Sequence, residues 1–163
     1  MSVTVSSITK SYIAGFLDGD GCIMFQLIRR KDYVYGYQIR ASIVFYQKSV
    51  NRYQLERLKQ IFQVGYIRNR KDGMAEYTIV GIEPVIKILK LLQPYVYLKK
   101  KHIEVALKIY RLLGSKKFNL VKFIQASSLV DQFGTLNYSR KRTNTSKELK
   151  KFLGRHNLYP RND

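Results

Sequence analysis

The stretch YIAGFLDGDG (12–21) decides how the chain is read. Tyr12, Ile13, Phe16 and Leu17 fall at the i, i+3, i+4 spacing of one helix face. Ala14, Gly15 and Gly19 are small, and two acids, Asp18 and Asp20, flank the last of them. Gly19 or Gly21 is expected to stop the helix, because glycine takes left-handed angles without a Cβ clash. Acids are the wrong charge at that end, since the helix dipole leaves a C-terminus partially negative. A carboxylate placed there calls for a compensating partner.

Thirty Lys and Arg against eleven Asp and Glu give a net charge of +19 and a pI near 10.1. Such a balance points to a polyanionic partner, nucleic acid first. A membrane surface would also attract it, but the basic residues are spread through strands and loops instead of one helix face. No run approaches about 20 apolar residues, and the first eleven residues contain no apolar signal region. These features predict a soluble, intracellular protein with no membrane partner. The hydrophobic content of 45% over 163 residues suits a folded domain. The single cysteine, Cys22, excludes intrachain disulfides and cysteine metal clusters, and is expected to fill a strand position.

Downstream, CIMFQLIRR (22–30) and YGYQIRASIVFY (35–46) alternate with period two. Ile23, Phe25 and Leu27 oppose Gln26, Ile28 and Arg30; Tyr37, Ile39, Ala41, Ile43 and Phe45 oppose Gln38, Arg40, Ser42 and Val44. Ser49 is expected to cap a helix running to Phe62. A second hairpin follows, VGYIRNR (64–70) and AEYTIV (75–80) around a turn at 71–73. Pro84 suits the first turn of a helix that runs to 92, and helical spacing recurs over 99–113 and 118–134. A basic loop (137–146) and a short helix (146–153) close the chain. The pattern predicts a single α+β domain, four antiparallel strands with helices on one face.

The other face predicts function. Its outward residues are Gln26, Arg30, Gln38, Arg40, Ser42, Tyr66, Arg68, Arg70, Glu76 and Thr78. Arg suits guanine edges, Gln adenine and Glu cytosine, and a β-ribbon can enter the major groove. The alternative is a solvated basic face. Acids in a phosphate-binding chain ask for a divalent cation that bridges carboxylate and phosphate oxygens. Asp20 is the stronger candidate for that task; Asp18, earlier in the helix, can equally bond a neighbouring backbone or tyrosine. His102 and His156 lack metal-ligand spacing, and His102 is expected at the surface. Neither a nucleophile elbow nor a Gly-rich phosphate loop is present. What remains is metal-dependent phosphodiester hydrolysis.

YIAGFLDGDG closely resembles the motif that names the LAGLIDADG homing endonucleases, in their single-motif, homodimeric branch. The likeness extends to DYVYGYQIRASIVFYQK (32–48), VGYIRNR (64–70), LLQPYVYLKKKH (91–102) and LNYSRKRTNTS (136–146), nearly the whole chain. It implies an αββαββα fold over 1–163, with a core at 7–136 and a basic C-terminal loop and helix at 137–163. Each subunit would present a four-stranded antiparallel saddle to double-stranded DNA, with helices on the other face. The motif helices of a homodimer would meet through Tyr12, Ala14, Gly15, Asp18 and Gly19. The Asp20 carboxylate and Gly19 carbonyl would hold Mg2+, with Mn2+ as a substitute. Gln47 and Lys99 match residues that order water and stabilise charge at the cleavage site. Asn51 stands where the family has a basic residue, with Arg52 beside it; either can serve. The saddle would include Ile28, Tyr33 and Val44, and Ser139, Arg140, Lys141 and Arg142 match a phosphate-contacting loop. The implied activity is a staggered double-strand cut at a long pseudopalindromic site, inside an organelle or a prokaryotic cytoplasm. The same scaffold also serves RNA-binding intron maturases and nuclease-dead DNA-binding regulators.

Overall fold

The computed structural model describes residues 4–139 and 141–158. Helix α1 (Ser7–Asp20) starts at Ser6, whose hydroxyl accepts the Thr9 N–H at 3.2 Å. Ile13, Ala14 and Leu17 are buried, whereas Tyr12, expected on the apolar face, is turned outward. The expected left-handed glycine stop is absent: Gly19 is still helical, and Gly21 is extended at φ −112° and ψ 166°. Gly21 is required by crowding, since a Cβ there would lie 2.7–2.8 Å from Leu17. The chain thus passes from helix into strand with no spare residue.

Strands β1 (Gly21–Arg29) and β2 (Tyr37–Lys48) form the first hairpin, and β3 (Tyr66–Asn69) and β4 (Met74–Val80) the second. The sheet order is β1-β2-β4-β3, with Phe45 opposite Tyr77 and Gln47 opposite Ala75. The inward faces expected in β1 and β2 are present, with Ile23, Phe25, Leu27, Tyr37, Ile39, Ala41, Ile43 and Phe45 all buried, but β2 is buried on both faces from Ala41 to Phe45. Between the hairpins lies a 3-10 turn (Ser49–Asn51) and α2 (Arg52–Phe62). Ser49 opens the turn and caps nothing, because the start of α2 has no side-chain cap. Helix α3 (Ile82–Leu92) carries Pro84 in its first turn, followed by α4 (Lys100–Leu113), α5 (Leu120–Leu136) and α6 (Ser146–Arg155). Among the described residues, no helix is long and apolar enough to cross a membrane.

The packing groups into two compact units, Met1–Ile23 with Ala41–Ile103 and Met24–Arg40 with Glu104–Asp163; β1 and β2 have residues in both. In the first, Phe16 meets Phe45 edge-on at 5.4 Å, and Phe45 stacks on Tyr77 at 6.1 Å. The Tyr77 phenol donates to the Val64 carbonyl at 2.5 Å, and burial pushes its pKa up. In the second, Phe25 stacks on Phe133 at 5.0 Å. Arg29 lies over the Phe152 ring at 3.9 Å and donates to the Gly36 carbonyl. Gly36 has φ +69°, which favours glycine at this turn. His102, expected at the surface, is buried on the apolar face of α4 beside Ile103.

Candidate active site and nucleic-acid interface

The two acids of α1 have different surroundings. Asp20 is exposed at the last helical position, and among the described residues its carboxylate has no hydrogen-bond or ion-pair partner. Asp18 is engaged. Its carboxylate accepts the backbone N–H groups of Tyr97 at 2.6 Å, Leu98 at 3.2 Å and Lys99 at 3.0 Å. In return, the Lys99 ammonium donates to the Asp18 carbonyl at 3.0 Å. Asp18, expected at the helix seam, therefore spends its side chain within its own chain. The Lys99 charge also reaches Cys22, two residues beyond Asp20, where it partly offsets the upward push of burial on the thiol.

Gln47 lies on the strand face that carries Phe45, against which Phe16 of α1 packs. Its side-chain oxygen accepts the Lys48 N–H at 3.0 Å and the Asn51 amide at 3.5 Å. Its NH2 donors are thereby left for another partner. Arg52 points elsewhere, to Glu56 at 3.0 Å and Asn69 at 2.8 Å. Of the two candidates, Asn51 is therefore the one that lies beside Gln47.

The residues present fit a hard cation. The Gly19 carbonyl lies in the final turn, where helical acceptors lack an N–H further along the helix. Among the described residues, no group of three or more His, Cys, Asp or Glu could hold an ion. One chain thus offers a carboxylate and a carbonyl. That partial oxygen set suits a hard divalent cation that completes its shell with water and phosphate oxygens.

On the outward face of the second hairpin, Arg68 stands opposite Glu76 and Tyr66 opposite Thr78. Arg68 pairs with Glu76 at 2.5 Å; Arg70 pairs with Asp72 at 2.7 Å and lies 3.9 Å from Glu76. The Glu76 side chain is only 11% exposed, so it orients two arginines and does not present a free carboxylate to a base. Ser42, Val44 and Thr78 are also buried, which corrects their expected exposure. In the other unit, Arg30 grips Asp32 through two bonds, at 2.9 and 2.7 Å, and holds that carboxyl down at about 2. The same guanidinium lies 3.4 Å from the Gln38 oxygen and 5.3 Å from the Tyr33 ring. Gln26 and Arg40 are exposed, and Ile28 is half-buried.

The C-terminal loop divides similarly. Ser139 and Lys141 are exposed, and Arg140 lies outside the described residues. Arg142, expected on phosphate, instead donates to the carbonyls of Val130 at 2.8 Å and Phe25 at 2.7 Å. Burial pushes its pKa down. With this anchor, a polar recess of about 170 Å³ forms between Gln26 and Ile28 on one side and Lys141, Thr143 and Asn144 on the other. Nothing in the sequence separates Arg142 from its basic neighbours, or singles out Asp32 and Asp72 as arginine partners.

The outer face of α1 carries Ile8, Tyr12, Gly15 and Gly19, with Ile8 84% and Tyr12 57% exposed. A Cβ on Gly15 or Gly19 would meet nothing within 4 Å. Ala14, expected at the seam, is instead buried within its own chain.

An acid-tipped helix set ahead of two hairpins that carry carboxylate-held arginines defines an α+β class whose site suits a phosphodiester substrate. The chain belongs to the LAGLIDADG endonuclease family, whose model matches residues 13–109. It is 34% identical over 143 residues to DNA endonuclease I-CvuI of Chlorella vulgaris, covering 88% of each chain. It is 35% identical over 142 residues to DNA endonuclease I-CreI of Chlamydomonas reinhardtii, covering 87% of this chain and 86% of that one. The crystal structure of the homing endonuclease I-CvuI, in complex with the I-CreI target and 2 mM Mg with the DNA not cleaved, superposes with a TM-score of 0.87. That match covers 94% of this chain and 97% of the other at 30% identity.

Proposed function

We propose that the protein is a site-specific double-strand DNA endonuclease that works as a homodimer with Mg2+. The observation that carries the reading is the unengaged Asp20 carboxylate on a motif helix whose other acid is bound to the backbone beside Lys99. The net charge of +19, the ordered arginines and the two DNA endonuclease relatives support DNA as the partner. The Mg in the I-CvuI complex supports a divalent cation.

Asp20 and the Gly19 carbonyl would hold the cation, which when bound supplies Lewis-acid polarisation of a phosphate oxygen and a more acidic water. Gln47, with its oxygen fixed by Lys48 and Asn51, offers its NH2 donors to orient water. The Lys99 ammonium brings positive charge to the place where negative charge develops on the phosphate. The small outer face of α1 would let two copies approach at a two-fold axis, so that each subunit serves one strand. Arg68 and Arg70, held by Glu76, would read base edges, and Lys141 would contact phosphate. The test is incubation with a randomised duplex library and Mg2+, followed by sequencing of the ends. Paired, staggered ends around one pseudopalindromic sequence are expected; intact duplex in both Mg2+ and Mn2+ rejects the reading.

A further inference from the structure

The acid clamp on Lys99 does more than the proposed hydrolysis asks of the motif. Tyr97, Leu98 and Lys99 immediately precede α4, and amides at a helix start have no acceptor within their own helix. Asp18 supplies that acceptor from about 80 residues away, at the end of α1. Val96 is buried, but the side chains of Tyr97 and Leu98 are 80% and 75% exposed. Apolar burial therefore does not hold these two residues, and the carboxylate does.

Lys99 is attached twice, through its backbone N–H to the Asp18 carboxylate and through its ammonium to the Asp18 carbonyl. The first contact sets where the residue begins; the second sets where its long, flexible side chain ends. We propose that Asp18 is a positioning residue, which fixes the Lys99 ammonium beside the Asp20 end of α1 for phosphodiester hydrolysis. The inference rests on the nuclease reading and adds to it a residue that touches neither substrate nor metal. It also accounts for the first acid of the motif: its charge is answered by the unsatisfied amides ahead of α4, where a helix dipole favours an anion.

A double-mutant cycle tests it. Asp18→Asn keeps the shape of the side chain but loses the charge and one of the two acceptor oxygens. DNA affinity measured in Ca2+ is expected to stay within about threefold, while single-turnover cleavage in Mg2+ falls about tenfold or more, as misplacement of a reacting group does. In the Lys99→Ala background, the same Asp18→Asn change is expected to alter the rate by less than about twofold, because its route of action has gone. Asp18→Glu, which restores the charge, is expected to recover part of the loss, and it carries the cycle if Asp18→Asn does not fold. Hydrogen exchange in the DNA-free protein reads the clamp directly: the amides of Tyr97, Leu98 and Lys99 are expected to exchange faster in Asp18→Asn. Equal rate losses in both backgrounds, unchanged cleavage, or unchanged exchange at these amides would overturn the inference alone. An unmodified protein that cuts no duplex would remove the nuclease reading and this inference with it.

Discussion

Lys141 and Arg142 are neighbours in a basic loop, and their environments assign them different work. The Lys141 side chain faces water, whereas the Arg142 guanidinium is satisfied by two backbone carbonyls. Lys141→Ala should weaken every duplex about equally and lower the slope of log affinity against log salt by about one unit for each phosphate no longer neutralised. Arg142→Ala should leave a half-buried set of acceptors unpaired and cost about 1–3 kcal/mol of stability, read from denaturant unfolding. If Arg142→Ala instead lowers the salt slope without lowering stability, the loop anchor is misassigned. Residue roles of this kind were legible only in part. Asp20 stood out because it is the last acid of its motif, at the end of the helix. For Asp18 a backbone bond was foreseen as one of two readings, but not which backbone, because the amides it binds lie about 80 residues further along the chain. Arg142 was hidden because a buried and a solvated arginine look alike in a basic run.

At the scale of elements, period-two alternation located both hairpins and their inward faces. It could not reveal exposure on the outward face, since parity gives direction and not depth. Ser42, Val44 and Thr78 point outward by register yet are covered, and Glu76 lies largely beneath the arginines it holds. Arg68 remains the best base-reading candidate of this hairpin. Arg68→Ala should relax preference at one position per half-site, costing on the order of 1–3 kcal/mol of discrimination in competition binding. A uniform loss over all sites would make the sheet a mere electrostatic platform. Helix α1 carries a separate test. Gly15 has open space around it in the protomer, and a mid-helix glycine costs about 1 kcal/mol relative to alanine. Gly15→Leu should therefore keep the fold of the single chain but sediment as a monomer. A dimer that tolerates Gly15→Leu would place the subunit contact elsewhere.

At the scale of the whole molecule, class and partner were legible because composition and motif agree. A charge of +19 calls for a polyanion, and a free acid within such a chain calls for a cation between them. A homodimer would double that charge, so affinity for any duplex should fall steeply as salt rises, with selectivity carried by the arginines of the saddle. Asp20 is proposed to serve hydrolysis and not binding. Asp20→Asn removes one negative charge where phosphate must approach and removes the proposed carboxylate ligand. The direct measurement sets the two properties side by side on one cleavable duplex: equilibrium affinity in Ca2+ and single-turnover cleavage in Mg2+. Asp20→Asn is expected to bind at least as tightly as the unmodified protein and to cut neither strand. Cleavage by Asp20→Asn at a near-normal rate, or loss of binding in step with loss of cleavage, would contradict it.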